Sequence, residues 1–457
     1  MLDFMSVLSR YYFVFLILYF VVVAARYIVK EKGDGAAVPL GQRAVTILFV
    51  MFAFPILALS DDMLSVNLET LIFGGLVLVF VVLGSVLKRK IYKNICPLIT
   101  NTMFFLLALG FVALYRLAPD LAARQLLFAA MGVGASLLIP LIFRIFRQFE
   151  RLEKLYLTLC VALVGVIVIA DGIGRLFNIP IVSVDAFGAV RWISIAGMSF
   201  QPSAFAKPLF VIYLACAFRT KPGAGKLVFV GTTSAAIIGL LVLQRDLGSA
   251  LMYFAVFMVI LYAATGSKIL LATGLGAVSV ASVAAYQIFP HLRIRVAAWH
   301  NPWADISGQG FQIAQSLFAI GTWGPFGIGL GRGLPGRIPV VERDVIFSAI
   351  SEEFGWLFGL LLIAVYAMFF LRGALMANRA KRPLHALMTL GFAALLAFQA
   401  FVSIGGNIKL IPMTGITLPF VSYGGSSVFV SILMVGVLNW LYGQNGRQDA
   451  VPTKEEA

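Results

Sequence analysis

The feature that most constrains this chain is a series of apolar runs, each about as long as a helix that crosses a lipid bilayer. Such a helix needs about 20 mostly apolar residues, whereas a membrane-spanning β-strand needs only about ten. Hydrophobic residues make up 61% of the chain and charged residues 12%, too few to cover a water-soluble globule with polar surface. The sequence therefore predicts an all-α polytopic membrane protein with about thirteen transmembrane helices. The runs cover residues 11–29, 44–60, 70–87, 98–117, 125–146, 155–172, 202–218, 227–243, 247–265, 269–289, 345–371, 386–405 and 418–442.

The basic residues predict how the chain is oriented. The formal net charge is +15, from 35 Lys and Arg against 20 Asp and Glu. These cations collect in alternate short loops, which is typical of the cytoplasmic loops of a membrane protein rather than of a nucleic-acid-binding surface. We therefore expect a multi-pass protein of the cytoplasmic (inner) membrane that contacts membrane lipids and no nucleic acid. Its N-terminus is predicted outside and its C-terminus in the cytoplasm.

Two loops on the predicted outer side are longer than a connection requires. One covers residues 172–201. The other covers residues 290–344 and is the largest polar stretch of the chain. Because the second loop is rich in Trp, Phe and Gly, we expect it to be ordered and to lie against the membrane surface. Function is therefore predicted on the outer face.

Ionisable side chains within or beside apolar runs are candidate functional residues, because a charge in lipid costs about 2–4 kcal/mol or more. These residues are Lys207, Asp246, Asp344, Glu352 and Glu353. Asp344 ends the long outer loop and is followed at once by an apolar run. From its position alone, Asp344 is either a solvated acid favoured by a helix dipole or an acid placed where a lipid headgroup meets the helix bundle.

Arginines on the predicted outer side indicate which chemical group the substrate carries. Arg191 and Arg337 are two of them, and guanidinium groups suit phosphate oxygens. The glycine-rich residues 321–331 are a further candidate, because backbone amides in such a stretch can approach an anion closely. These features indicate a lipid-linked phosphate substrate, with nonspecific binding of lipid phosphates as the alternative. The sequence has no P-loop, no HExxH and no GxSxG in a strand context, which argues against ATP hydrolysis and metalloprotease chemistry.

Five stretches of the chain form distinctive motifs. They are RWISIAGMSFQPSAFAK (191–207), LQRDLGSA (243–250), GFQIAQS (310–316), DVIFSAISEEFG (344–355) and PMTGITLPFVSYGGSS (412–427). These stretches resemble, in the same order, the signatures of the shape, elongation, division and sporulation (SEDS) family, to which FtsW, RodA and SpoVE belong. The resemblance implies a ten-helix core over residues 97–445, a three-helix extension over residues 1–96, and a cytoplasmic tail over residues 446–457.

Members of this family are peptidoglycan glycosyltransferases that polymerise lipid II on the outer face of the membrane, together with a class B penicillin-binding protein. They serve cell division, elongation (cell shape) or sporulation. The resemblance implies the same activity and partners here, with Asp344 as the catalytic residue. It assigns no metal ligand, and it leaves a divalent cation such as Mg²⁺ or Mn²⁺ as an open expectation. The residues it implies in substrate binding are Arg191, Trp192, Gln201, Ser203, Lys207, Asp246, Gln312, Arg337, Ser422 and Ser426.

The chain departs from the family pattern at two positions. Ala204 stands where the family has a glutamate, so Lys207 lacks its expected partner one turn away. Because an unpaired buried charge is costly, we expect Lys207 to pair with Asp246 or to contact substrate pyrophosphate. Arg245 stands where the family has a proline and adds a cation at the predicted outer mouth.

The hypothesis is a single displacement in which Asp344 is the general base. Arg191, Lys207 and Arg337 are the candidates that stabilise the leaving pyrophosphate. Two alternatives stay open. A lipid II flippase needs polar groups that are reached from both leaflets, whereas the strongest signals here gather on the outer side. The other alternative is a non-catalytic scaffold for division or sporulation proteins.

Overall fold

The fold was analysed in a computed structural model, which describes residues 2–29, 37–60, 67–92, 94–146, 148–177, 182–184, 190–195 and 198–448. The first part of the chain is a series of helices. Pro97 and Pro119 each take the first position of a helix, where a missing N–H costs nothing and the fixed φ suits the turn. The helices are α1 (Leu2–Val29), α2 (Ala37–Ser60), α3 (Leu68–Tyr92), α4 (Pro97–Leu117), α5 (Pro119–Leu137), α6 (Ile139–Ile145) and α7 (Glu153–Phe177).

The middle of the chain begins with a small antiparallel sheet of strand order β1-β2-β3. It lies in the predicted outer loop 172–201, where we predicted no strand, and its alternating residues are typical of short strands. In its register Trp192 lies opposite Ser183, and Ile193 lies opposite Phe200. The elements are β1 (Val182–Val184), β2 (Val190–Ile195), β3 (Met198–Phe200), α8 (Pro202–Ala217), α9 (Ala224–Leu243), α10 (Leu247–Thr265) and α11 (Lys268–Ile288).

The last part of the chain holds the long polar loop and three long helices. The loop 290–344 is ordered, as expected, and it contains two helices and short 3₁₀ turns. Its apolar residues Ala319, Ile338 and Val341 pack with Val345 and Ala349 in one buried cluster. The helices are α12 (Pro290–His300), α13 (Phe311–Gly321), α14 (Ile346–Phe354), α15 (Trp356–Asn378), α16 (Pro383–Asn407) and α17 (Gly425–Gln448).

Twelve helices in the described part of the chain are long and apolar enough to cross a membrane. The remaining predicted run, 202–218, corresponds to α8, which is apolar but only 16 residues long. The prediction of a helical polytopic membrane protein is therefore confirmed, and the chain is a multi-pass membrane protein.

Two predicted spans differ from the structure. The run 345–371 is wrong as one helix, because Gly355 has a φ of +92° and separates α14 from α15. The run 418–442 also begins too early, since α17 starts only at Gly425 and Phe420 lies in a turn with a φ of +67°. In both places the apolar side chains are buried within protein, and apolar content alone does not distinguish such a segment from a lipid-spanning one.

The chain forms two compact units, and their boundaries fall within α6, α12, α15 and α16. The first unit comprises Met1–Pro140, Val296–Arg372 and Gln399–Ala457, and the second comprises Leu141–Arg295 and Gly373–Phe398. In the first unit the extension helices α1 and α2 meet α14 through aromatic rings. The rings of Phe13 and Phe354 lie 5.2 Å apart, and Phe49 contacts both.

The second unit is built around α7, α8, α9 and α10. Ion pairs join its polar ends: Arg382 Nη1 lies 2.8 Å from Glu150 Oε1, and Lys226 Nζ lies 3.4 Å from Glu153 Oε2. Because these pairs are partly exposed, each contributes about 0–1 kcal/mol, and burial of α8 supplies most of the packing.

Candidate functional site

Asp344 lies in the turn that leads into α14, and it is half-buried. The main chain on both sides of it is anchored. The Asp344 amide donates to the Val340 carbonyl at 3.2 Å, and the Asp344 carbonyl accepts a hydrogen bond from Asn407 Nδ2 at 2.8 Å. Val340 takes a left-handed φ of +55°, which turns the chain sharply before the helix. The position of Asp344 is thus fixed through its backbone.

Asn407, the last residue of α16, is the centre of this anchor and is buried. Its Nδ2 also donates to the Ser403 carbonyl at 2.8 Å, and its Oδ1 accepts from Ser348 Oγ at 3.1 Å. Its own carbonyl accepts from Ser316 Oγ at 2.8 Å, and Ser316 and Ser348 share a short hydrogen bond. Asn407 therefore joins α13, α14 and α16 and also holds the turn at Asp344 that leads into α14.

The segment before α17 lies against the Asp344 turn. The Tyr423 amide donates to the Glu342 carbonyl at 2.8 Å, and the Arg343 guanidinium lies 5.6 Å from the centre of the Tyr423 ring. Ser422 is buried; its Oγ accepts from the Leu418 amide at 2.9 Å. The predicted site residues Ser422 and Asp344 thus belong to two segments in direct contact.

Gln125 of α5 fixes the same segment from the other side. Its Nε2 donates to the Ser422 carbonyl at 2.9 Å, and its Oε1 accepts from the Gly424 amide at 3.1 Å. Another predicted residue of this region, Ser426, is buried in the first turn of α17. Ser422 and Ser426 are therefore both buried, and they contribute to the structure of the chain where it enters α17.

Gln312 and Arg337 lie in the same unit as Asp344. Gln312 Nε2 donates to the Pro339 carbonyl at 2.9 Å, which ties α13 to the loop. Arg337 ends the 3₁₀ turn Pro335–Arg337 and is exposed. An exposed guanidinium seven residues before a half-buried carboxylate provides a cation on the same loop as the predicted base.

A carboxylate cluster, formed by Arg116, Glu352 and Glu353, lies at the end of α14. Arg116 Nε is 3.3 Å from Glu353 Oε1, and Arg116 Nη2 donates to the carbonyls of Gly331 and Gly333 at 3.2 Å each. Glu352 Oε1 accepts from the Leu334 amide at 2.9 Å. Each acid is therefore matched by a donor from another segment.

Burial changes the acidity of Glu352 and Glu353, which lie in α14, outside the membrane-spanning helices. Burial raises the pKa of Glu353 to about 7, although the Arg116 guanidinium opposes the shift. Burial also raises the pKa of Glu352, and the Leu334 amide opposes that shift. Glu353 is thus held by a partner yet lies close to protonation at neutral pH.

The glycine-rich stretch 321–331 does not offer all its amides to an anion. The amides of Ile328 and Gly329 donate to the carbonyls of Glu352 and Glu353 at 3.0 and 2.9 Å. These are the last carbonyls of α14, which a helix leaves without partners of its own. The proposed anion cradle is therefore wrong for these two amides, because they cap a helix instead.

In the second unit, Lys207 and Asp246 are both buried. Asp246 precedes α10, and its Oδ1 accepts from the Ser249 amide at 3.2 Å as a helix cap. The negative charge of Asp246 also acts on Lys207. Pairing of Lys207 with Asp246, in the absence of a glutamate at Ala204, stays a prediction, as does contact with substrate pyrophosphate.

The remaining predicted residues surround the start of α8. Gln201 immediately precedes the helix, and Ser203 lies in its first turn with its carbonyl accepting from Tyr253 OH at 2.8 Å. The Ser203 hydroxyl is buried and has no hydrogen-bond partner in the described part of the chain. Trp192 is half-buried in β2. Arg191 belongs to the same strand, but its side chain lies outside the described part.

The predicted site residues thus fall into two groups, one in each compact unit. Asp344, Gln312, Arg337, Ser422 and Ser426 belong to the first unit, and the other six belong to the second. Sequence reasoning missed Arg116, Gln125 and Asn407 as organisers of the first group. A polar residue at the end of an apolar run was the available signal, since such a residue needs a partner in lipid or protein.

Comparisons with known proteins identify the family of the chain. A family model described as cell cycle protein, for FtsW, RodA and SpoVE, matches residues 97–445. Peptidoglycan glycosyltransferase RodA of Mycobacterium tuberculosis is 32% identical over 370 residues, which cover 75% of this chain and 76% of that protein. Stage V sporulation protein E of Bacillus subtilis is 33% identical over 326 residues, which cover 69% of this chain and 85% of that protein.

A solved structure is similar as well. It comes from a study of how a peptidoglycan synthase complex coordinates polymerization and crosslinking, and its chain is 27% identical to this one with a TM-score of 0.61. The match covers 76% of this chain and 97% of that chain. The chain belongs to the FtsW, RodA and SpoVE family of cell cycle proteins.

Proposed function

We propose that this chain is a peptidoglycan glycosyltransferase that polymerises a lipid-linked disaccharide pyrophosphate, lipid II, with Asp344 as the general base. The Asp344 carboxylate accepts the proton of the acceptor sugar's 4-hydroxyl group. The hydroxyl oxygen then bonds to the anomeric carbon of the donor sugar, and the bond from that carbon to the pyrophosphate oxygen breaks. The products are a longer glycan strand and undecaprenyl pyrophosphate.

The observation that carries this proposal is the placement of Asp344. A general base must stay within hydrogen-bond reach of one hydroxyl group, so its position has to be fixed before the substrate arrives. The hydrogen bonds from Asn407 to the Asp344 carbonyl and from the Asp344 amide to Val340 fix its main chain. The half-buried side chain keeps partial access to a substrate. The names of the curated relatives support the class of reaction.

Arg337 supports the proposal as a cation for the leaving pyrophosphate, because it is exposed on the loop that ends at Asp344. Guanidinium groups bind phosphate oxygens in pairs and stabilise the charge that develops as the bond breaks. Arg191 and Lys207 of the second unit are the further candidates for this role.

A divalent cation stays part of the proposal only as an additive to be tested. In the described part of the chain, no group of three or more His, Cys, Asp or Glu side chains is arranged to hold a metal. Glu352 and Glu353 are engaged by Leu334 and Arg116. A cation such as Mg²⁺ or Mn²⁺ would therefore act on the substrate pyrophosphate. Assays with each ion and with a chelator measure this contribution.

The test is polymerisation of purified lipid II by the wild type and by Asp344→Asn. We expect the rate to fall by about 10²–10⁴-fold, the usual contribution of a positioned base, while the melting temperature stays unchanged. Glu342→Gln is the matched control, because it removes one negative charge two residues away, and it should keep most of the activity. Glycan synthesis at the wild-type rate by Asp344→Asn would rule out the assignment of the base.

The proposal includes a partner and an orientation. The similar solved chain belongs to a peptidoglycan synthase complex, which supports a class B penicillin-binding protein as the partner here. Adding such a protein should raise the polymerisation rate. Asp344 should face the outside of the cytoplasmic membrane, with the N-terminus outside and the C-terminus in the cytoplasm. Labelling of single cysteines introduced at either end, with a reagent that cannot cross membranes, tests this orientation.

A further inference from the structure

The first unit contains a groove between the N-terminal extension and the core helix α4 that the proposed reaction does not use. This extension groove lies between α2, α3 and α4 and has a volume of about 90 Å³. Its walls are mainly apolar and include Ile47, Val82, Val86 and Phe104. Val82 and Val86 are 42% and 44% exposed. The groove is therefore open along an apolar face of α3, which in a membrane protein meets lipid chains.

One end of the groove is polar, and its polarity comes from nitrogen donors. Thr46 and Ser85 line it, but their hydroxyl groups donate to the carbonyls of Gln42 and Val81 within their own helices. These hydroxyls are therefore already used. The polar lining that remains is Arg43 and Asn101. Two further side chains lie next to this lining: Gln42 is hydrogen-bonded to Asn101, and Arg89 follows Ser85 by one helical turn of α3.

The side chains of Gln42, Arg43 and Arg89 present more donors than the surrounding protein accepts. Arg43 Nε donates to Asn101 Oδ1 at 3.3 Å, and Asn101 Nδ2 donates to Gln42 Oε1 at 3.3 Å. Gln42 Nε2 and Arg89 Nη2 are both buried and have no hydrogen-bond partner within the described residues. A buried donor without an acceptor costs about 1–3 kcal/mol, so two such donors on helices that border the groove indicate an acceptor supplied by a ligand.

Within the described helices α2 and α3, the charged residues at this end are all basic. Arg43, Lys88, Arg89 and Lys90 all lie at the end where α2 begins and α3 ends, whereas Glu69, the only acid of the two helices, lies at the far end of α3. The carbonyls at the end of α3 account for an exposed cation such as Lys90. They do not account for the buried nitrogens of Gln42 and Arg89. The complementary ligand is an anion.

We propose that the extension groove binds a phospholipid with an anionic headgroup. The headgroup phosphate accepts hydrogen bonds from Gln42 Nε2 and from the guanidinium groups of Arg43 and Arg89. Part of one acyl chain lies along Ile47, Val82 and Phe104. Basic pockets between membrane helices bind anionic headgroups by this combination of charge and apolar contact. The extension then serves as a lipid-binding module attached to the enzyme core.

The test uses the purified, delipidated full chain in detergent, with native mass spectrometry and thermal unfolding as readouts. Phosphatidylglycerol should bind and raise the melting temperature by several degrees, and phosphatidylcholine should bind at least tenfold more weakly. Inorganic phosphate should produce no shift. Equal binding of the two lipids, or an equal shift with phosphate alone, would overturn the proposal.

Variants locate the binding to the groove. Arg89→Gln and Arg43→Gln should each weaken phosphatidylglycerol binding at least tenfold. Arg26→Gln is the matched control, because it removes an exposed cation from the last turn of α1, and it should bind as the wild type does. Val86→Trp should also weaken binding by filling the groove while every donor is kept. Wild-type affinity in both Arg89→Gln and Val86→Trp would refute the site, and neither change removes a described hydrogen bond on which folding depends.

Discussion

The carboxylate cluster at the end of α14 and the polar end of the extension groove are built from similar residues, but they differ in their balance of donors and acceptors. In the carboxylate cluster, Glu353 meets Arg116 and Glu352 meets the Leu334 amide. In the groove, Gln42 and Arg89 each keep a buried nitrogen without a partner in the described structure. The first region is complete within the protein, and the second needs something from outside it.

The difference indicates how to separate structural charges from functional ones in this unit. Buried polar groups that are mutually satisfied hold segments together, and removing one of them is costly. A cluster whose buried donors lack acceptors is stabilised when a ligand supplies those acceptors. Asp344 illustrates a third arrangement, because Asn407 fixes its backbone while its half-buried side chain keeps access to solvent.

The largest effect is expected from Arg116→Leu. This change removes three hydrogen bonds and leaves the Glu353 carboxylate buried without its cation. We expect the free energy of unfolding at pH 8 to fall by about 3–5 kcal/mol, the usual cost of breaking a buried pair. Reversible unfolding in mixed detergent micelles measures it. Arg124→Leu, at an exposed arginine of α5, is the control, and a loss below about 1 kcal/mol for Arg116→Leu would show that the cluster is not a unit.

The pH dependence of Glu353 gives the next largest effect. Its folded pKa of about 7 lies above the ordinary value of 4.5, so between these pH values the folded protein keeps a proton that the unfolded chain has lost. The free energy of unfolding therefore falls as the pH rises from about 4.5 to 7, by about 3 kcal/mol. Glu353→Gln should flatten this slope, and Glu342→Gln should leave it unchanged. Unfolding curves at a series of pH values decide the matter; an unchanged slope in Glu353→Gln would contradict the assignment.

Asn407→Leu tests whether polymerisation depends on the hydrogen bond that anchors the Asp344 backbone. It removes the bonds to Asp344, Ser348 and Ser403 and should lower the free energy of unfolding by about 2 kcal/mol. Because Asp344 loses its anchor, we expect polymerisation to fall at least tenfold at a temperature where the variant is still folded. Gln399→Leu serves as the control, since it breaks buried bonds of α16 to Thr417 and Ser427 instead. Equal losses of activity in both variants would mean that Asn407 acts only on stability.

Lys88→Met is expected to have the smallest effect and the opposite sign. The Lys88 side chain is fully buried, and its Nζ meets only the weak acceptor Met103 Sδ, at 3.8 Å, among the described residues. Replacing it with an apolar side chain of similar length should raise the free energy of unfolding by about 1 kcal/mol. Lys90→Met, an exposed neighbour on the same turn, should change little. A clear loss of stability in Lys88→Met would indicate an acceptor that the lipid supplies.

The sequence was a good guide to the helices and a poor guide to what joins them. Apolar runs located the membrane helices, because lipid imposes a length and a composition on any segment that crosses it. The same measure failed at Gly355 and before Gly425, where apolar residues are buried in protein. Three short strands were also missed in a loop.

The candidate site divides in the same way. Asp344 could be predicted from the sequence because its motif is local and continuous. Arg116 was missed because its partner Glu353 lies 237 residues further along the chain, and no local pattern specifies such a pair. Asn407 and Gln125 were missed for the same reason. Sequence reasoning identified which residues bear charge, and only the fold identified which of them balance one another.

The close main-chain contact between Gly327 and Gly355 restricts which residues these two positions can accept during evolution. A methyl group at position 355 would stand 2.1 Å from the Pro325 carbonyl oxygen, and one at position 327 would stand 2.4 Å from the Gly355 nitrogen. Both obstacles are main-chain atoms, and both glycines have left-handed φ values. When each of these codons is randomised and functional variants are selected, glycine should be recovered at both positions. Alanine should be accepted at Gly321, which has open space around it.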